Sequence, residues 1–310
     1  MNEEDTRNTK PVDYGAGNET LGFERILAVA PVEAPPRLAW RKDGFLKAAA
    51  YTGLDIQVPT QPKWTDTEIH ALMSKNPILK EGLALSWFGH LNALREAATH
   101  TTSLILEDDT DWDVEIRSQM PRIAEAVKSL TGYTADSAEG ESALPPYGAD
   151  WDVLWLGHCG DNIVFDPPPI QFNDSTVPPY VNSWEKTISP DPRHTRWVHW
   201  ATGPICTYAY AVTDTSARKI LDRDDHGSES FDIWLHIRCK GKELRCVTVS
   251  PKLFHHHEAA GEKDSLINGK TEEETIKAEM TDNIWHSARC NSVAKSESLV
   301  TCMGPKPKAS

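Results

Sequence analysis

Residues 103–113 read SLILEDDTDWD, in which four uncharged residues run straight into five carboxylates within seven positions, Glu107, Asp108, Asp109, Asp111 and Asp113. A short apolar run of this kind reads as a buried strand. Carboxylates crowded at its end repel one another and raise each other's pKa unless a cation, a helix N-terminus or bulk water relieves them. Upstream, residues 84–98 (ALSWFGHLNALREAA) carry Ala84, Trp87, Phe88, Leu91, Leu94 and Ala98 at three- and four-residue spacing, one apolar helical face. Downstream, residues 120–132 (MPRIAEAVKSLTG) set a proline near a first turn, apolar Ile123, Val127 and Leu130, and Gly132 just past the end. The local order is helix, strand, acidic turn, helix.

Residues 25–30, 54–59, 152–156, 206–212 and 245–249 are further short apolar or alternating runs and read as strands. Their alternation with helical stretches predicts a single α/β domain with a mostly parallel sheet flanked by helices, and ligands in such sheets bind beyond the carboxyl ends of the strands. The run EDDTDWD falls at such an end. Residues 1–21 and 287–310 are polar and read as disordered flanks around a folded domain at 22–286. Residues 131–150 read as an exposed acidic loop, and residues 161–200, with seven prolines and no sustained periodicity, as a functional lid.

The chain has 310 residues, 39% hydrophobic and 25% charged, with a formal net charge of −14, which works against a nucleic-acid partner because phosphate-backbone affinity rests on Lys and Arg. No apolar run approaches the roughly 20 residues that span a bilayer, so the expectation is a soluble chain without a membrane segment. The six cysteines form no C-x-x-C pair, which argues against a structural zinc site and leaves disulfides open. Asn18 and Asn173 head two N-x-S/T sequons, a weak pointer to a lumenal surface.

Glu107, Asp108 and Asp109, delivered to the ligand edge of a sheet, are hard oxygen ligands suited to Mg²⁺ or Mn²⁺ holding a substrate phosphate. The competing reading is a solvated acidic turn with Asp111 or Asp113 capping the next helix. In residues 254–265 (FHHHEAAGEKDS), an extended chain sends His255 and His257 to one side and His256 to the other, so one of the first two could complete a metal shell. Residues 228–241 (SESFDIWLHIRCKG) read as a helix with Ser230 as N-cap and Asp232 in the first turn, where a carboxylate either compensates the dipole or serves as a general base.

Taken in order, residues 104–114 (LILEDDTDWDV), 147–160 (YGADWDVLWLGHCG), 202–221 (TGPICTYAYAVTDTSARKIL), 230–237 (SFDIWLHI) and 249–257 (VSPKLFHHH) resemble glycosyltransferase family 25 in a fungal-type form, over about residues 22–286. That family contains lipopolysaccharide and procollagen galactosyltransferases. The resemblance implies a GT-A-like, Rossmann-like fold, Mn²⁺ (or Mg²⁺), a UDP-sugar donor, a glycan or glycoprotein acceptor and transfer with inversion. It implies a glycosyltransferase of the Golgi lumen or secretory pathway if an upstream anchor exists. Residue by residue, Glu107, Asp108 and Asp109 match the metal and donor motif, Asp152 and Gly157 the WDVLWLG segment, and Asp232 an acidic position after the SARKIL helix. The first family motif is replaced by residues 30–45 (APVEAPPRLAWRKDGF), where Arg41, Lys42 and Asp43 are the counterparts and Trp40 stands in place of an acid. The expected assignment is Asp232 as catalytic residue, Arg41, Asp108, Asp152 and Gly157 for the donor, and Glu107, Asp109, His255 and His257 for the metal. A metal-dependent hydrolase and a binding-only protein with a degenerate donor motif are the alternatives.

Overall fold

The computed structural model describes residues 15–31, 33–133, 145–182, 193–265 and 269–305, without the side chains of 262–274. Residues 1–14 of the expected N-terminal flank, 134–144 of the acidic loop, 183–192 of the proline-rich segment and 306–310 of the tail lie outside the described residues.

Eight strands form the main sheet: β1 (Arg25–Val29), β2 (Ile56–Gln57), β3 (Thr102–Glu107), β5 (Val153–Gly157), β6 (Ile170–Asn173), β7 (Thr195–Trp200), β8 (Ala209–Thr213) and β9 (Cys246–Ser250), in the order β2-β1-β3-β8-β5-β9-β7-β6. A smaller sheet joins β4 (Thr110–Trp112), β10 (Phe254–Glu258) and β13 (Met280–Thr281), and β11 (Gly261–Ser265) pairs with β12 (Gly269–Ile276). The helices are α1 (Ala39–Thr52), α2 (Asp66–Met73), α3 (Glu81–Ala97), α4 (Ile116–Thr131), α5 (Asp214–Leu221), α6 (Phe231–Lys240) and α7 (Ala288–Val293). This is a mixed α/β domain. β7 and β8 run against the other six strands, so β3–β8, β8–β5, β9–β7 and β7–β6 are antiparallel pairs. From β5 to β8 no α-helix intervenes among the described residues, and without crossover helices those strands lose the connection that parallel neighbours need.

Alternation along each strand builds a core on either face of the sheet. Leu104 and Leu106 face one cluster with Phe45, Met120, Ile123 and Val127, whereas Ile105 faces another with Trp87, Leu91, Trp155 and Trp234. The helix read at 84–98 is thus the centre of the second layer, and its Trp87 packs edge-on against Phe231 and Trp234. Truncating a fully buried tryptophan to alanine costs about 3–5 kcal/mol.

Both flanks shrink against the expectation. Leu21 and Ala16 are buried and Tyr147 donates to the Leu21 carbonyl at 2.6 Å, so residues 15–21 pack on the core. At the other end, α7 buries Ala288, Arg289 and Cys290, and Cys290 is disulfide-bonded to Cys302. Residues 287–305 are therefore part of the domain: the disulfide and one buried arginine hold a segment whose polar composition reads as a tail. The expected lid at 161–200 supplies β6 and β7, the hairpin at the sheet edge. Disulfides Cys159–Cys206 and Cys239–Cys246 complete the pairing of all six cysteines.

Candidate functional site

The carboxyl ends of β1, β3, β5 and β9 share one edge, where the reversed strand β8 begins. Glu107 lies opposite Val29 in the register and Leu106 opposite Ala209, which brings the acidic turn beside Thr207 and Tyr208. The chain then turns from β3 into β4 and leaves the main sheet to pair with β10, His256 facing Thr110 and His255 facing Asp111.

The five carboxylates divide into two groups. Asp111 is fully buried and structural: it accepts from Thr281 Oγ1 at 2.6 Å, from Ser287 Oγ, and from the Arg289 amide at 3.0 Å. Asp113 accepts from the amides of Glu115 at 2.9 Å and His286 at 2.8 Å. Neither side chain caps α4, whose N-cap residue is Glu115 with no side-chain cap; they clamp the C-terminal segment instead. Glu107, Asp108 and Asp109 stay at the end of β3, the two aspartates buried and Glu107 partly open. Glu107 accepts from Thr207 Oγ1 at 2.8 Å and lies 3.6 Å from His90 Nε2.

Two arginines relieve the charge. Arg41 donates from Nε to Asp108 Oδ1 at 2.9 Å and from Nη2 to Asp109 Oδ2. Arg289, only 4% exposed, donates to the carbonyls of Thr110 at 2.9 Å, Arg41 at 2.9 Å and Asp108 at 2.6 Å. Trp40 has the Arg289 guanidinium over its ring at 5.8 Å. Gly44 allows this approach, because a Cβ there would stand 2.7 Å from Arg289 Nη1. Burial pushes the Asp108 carboxyl up to about 6, against the pull of Arg41. Burial also pushes Asp109 upward, but Arg41, His256 and Arg289 together hold it below the usual carboxylate range.

His256 Nε2 stands 3.6 Å from Asp109 Oδ2, whereas the expectation put His255 or His257 at the metal. His257 turns toward β13, its Nδ1 2.8 Å from Thr281 Oγ1, and His255 packs 5.1 Å from the Tyr208 ring. The register sets His257 opposite Asp109, its amide donating to the Asp109 carbonyl at 2.9 Å, yet it is the His256 side chain that reaches the Asp109 carboxylate.

Asp152 does not reach this edge. It precedes β5 at the opposite end of the sheet, accepts the Arg245 amide at 2.7 Å and ion-pairs with Lys219 at 3.5 Å; four strand residues at about 3.3 Å each separate the two edges. Gly157 is at the correct edge, but its role is packing, since a Cβ there would lie 2.8 Å from Phe254 Cβ and 2.9 Å from the Ala209 nitrogen.

Asp232 opens α6 and is half-buried. Ser230 Oγ donates to its Oδ1 at 2.7 Å and the Cys206 amide to its Oδ2 at 3.2 Å. Ser230 thus aims the carboxylate rather than capping the helix. Cys206, held by its disulfide to Cys159, sits at φ 65, a left-handed conformation that a side chain resists. Tyr208 packs against His255 and His256 with its hydroxyl 3.1 Å from Cys159 Sγ, and burial followed by the charges of Glu107, Asp109, Glu258 and Asp232 pushes its phenol far up. Tyr208 and Arg289 were missed in the sequence. Tyr208 is visible there only as one member of an alternating Tyr-x-Tyr strand, and Arg289 lies in a stretch whose only sign of order is the cysteine at each end.

Among the described residues, no group of three or more His, Cys, Asp or Glu side chains is arranged to hold a metal. A partial donor set fits one. Asp109 Oδ1 and Asp108 Oδ2 are buried without hydrogen-bond partners, and the His256 imidazole adjoins Asp109. Carboxylate with imidazole suits Mn²⁺, and substrate phosphates commonly supply the remaining ligands of such ions.

Family models give no match to this chain, and no curated protein matches it.

Proposed function

We propose that the protein is a metal-dependent glycosyltransferase of the family 25 type with a GT-A-like fold. In this reading it moves a hexose, galactose by resemblance, from a UDP-sugar to an acceptor hydroxyl with inversion. The observation that carries the reading is the meeting, at the carboxyl edge of the sheet, of Glu107 bonded to Thr207, Asp109 beside His256, and Asp232 bonded to the Cys206 amide, with the Tyr208 ring against His256.

Asp109 and His256 would hold Mn²⁺, which when bound supplies Lewis-acid stabilisation of a departing diphosphate. Glu107 is left to accept hydroxyls of the donor, as it accepts that of Thr207. Asp232 lies on a separate element from the carboxylates of β3, so it can take the acceptor's proton while the leaving group departs on the other side. Tyr208 remains a neutral phenol at any physiological pH and can donate a hydrogen bond without adding charge. Three disulfides support an oxidising compartment, in keeping with a Golgi or secretory site. No helix among the described residues is long and apolar enough to cross a membrane.

The test is release of UDP from UDP-galactose in Mn²⁺, with and without glycan acceptors. A transferase releases nucleotide in proportion to acceptor, a hydrolase releases it without acceptor, and a binding-only protein releases none.

A further inference from the structure

Lys252 lies just beyond the carboxyl end of β9 and is 4% exposed. Among the described residues no hydrogen bond, and no carboxylate within 4.0 Å, meets its ammonium. Asp282 is the carboxylate whose field reaches it, and that carboxylate already accepts from Asn182 Nδ2 at 3.0 Å. Its other neighbours at the edge are His158 and His255, both of which feel its positive charge and are held neutral by burial. The stem of the side chain is buried while its nitrogen still reaches the surface, so the charge is open to a ligand rather than sealed in the core.

The other cations at this edge are committed. Arg41 is spent on Asp108 and Asp109, and Arg289 on three carbonyls. Glu107, Asp108 and Asp109 crowd the end of β3 in a chain of net charge −14, so an anionic ligand meets repulsion on that side. The path from Asp109 runs through His256 and Tyr208 to His255 and then Lys252. That sequence of neighbours gives the cleft an acidic end and a basic end.

We infer that Lys252 binds a phosphate oxyanion of the nucleotide donor, as a residue that touches substrate. The inference rests on the nucleotide-sugar reading and adds to it the group that receives the diphosphate. Charge-assisted contacts of this kind are roughly twice as strong as neutral hydrogen bonds. Calorimetric titration with UDP, uridine and pyrophosphate in Mn²⁺ compares the wild type with Lys252→Met and Lys252→Arg. The expected result is a loss of roughly 10–100-fold in affinity for UDP and pyrophosphate in Lys252→Met, unchanged uridine binding, and substantial recovery in Lys252→Arg. The ligand-free Lys252→Met protein should melt no lower than the wild type, because the ammonium makes no bond among the described residues that methionine would forfeit. Equal UDP affinity in folded Lys252→Met overturns the inference while leaving the nucleotide-sugar reading intact. Absence of UDP and pyrophosphate binding in the wild type overturns both. Should Lys252→Met fail to fold, acetylation of Lys252 in the wild type is measured with UDP or uridine present. Protection by UDP alone supports the inference, and equal labelling overturns it.

Discussion

Arg289 donates to the main-chain carbonyl of Asp108 at 2.6 Å across 181 residues of sequence. The contact joins the last helix of the domain to the acidic turn, so the geometry of the candidate site depends on the C-terminal segment. Burial lowers the guanidinium only to about 10, so it stays charged and neutralises Asp108, Asp109 and Asp111 from beneath.

Arg289→Met should therefore destabilise the fold by about 3–5 kcal/mol, the scale for breaking a buried charge network on one side. Removing the Cys290–Cys302 disulfide, which spans a sequence separation of 12, should cost about 2–4 kcal/mol. Denaturant unfolding of both variants checks this. A loss below about 1 kcal/mol for Arg289→Met would show that the network is not integral to the fold.

Acid should unfold the protein over a defined window. Burial holds His158 and His257 down to about 3, His199 down to about 4 and His255 well below its ordinary value. Their folded pKa values are depressed, so their contribution is full above about 6.5 and is lost as pH falls toward the folded values. Asp108 works in the opposite sense: its folded value is raised to about 6, so its contribution is present below about 4 and is lost as pH rises through 6. Near pH 5 these groups together require a net uptake of about three protons on unfolding, four by the histidines less one released by Asp108. Unfolding free energy measured from pH 4 to 7.5 should rise steeply with pH. A flat profile across that range would contradict the burial of these histidines.

Asp232→Asn should keep the melting temperature and UDP affinity and lose turnover by roughly 100-fold or more, the scale of a general base. The fold tolerates the change because the asparagine oxygen can still accept the Cys206 amide while its nitrogen donates to Ser230 Oγ. A purely structural carboxylate would cost stability instead, about 1 kcal/mol, and spare the rate. Near-normal transfer by the folded variant removes Asp232 from the chemistry.

The six strands read from apolar runs all lie in the main sheet, because hydrophobic periodicity is a local property of the chain. β4 and β13 were not legible, and β10 was read as extended but without its partners: the three are two to five residues long, largely polar, and stabilised by pairing with one another rather than by their own composition. The contact of His256 with Asp109 is made by side chains across that small sheet, which strand parity alone does not reveal. Asp152 failed for a related reason. The motif WDVLWLG gives a strand, but only topology says which of its ends lies at the ligand edge, and Asp152 stands at the other. Arg41 was read as a donor-binding residue from its motif position, whereas its guanidinium is engaged by Asp108 and Asp109.

Calorimetric titration of UDP in the presence and absence of Mn²⁺, on the wild type and Asp109→Asn, tests the central claim most directly. The account predicts that wild-type binding requires Mn²⁺ and that Asp109→Asn, folded and with a similar melting temperature, loses it. Mn²⁺-independent UDP binding that survives in Asp109→Asn, or no UDP binding by the wild type at all, would contradict it.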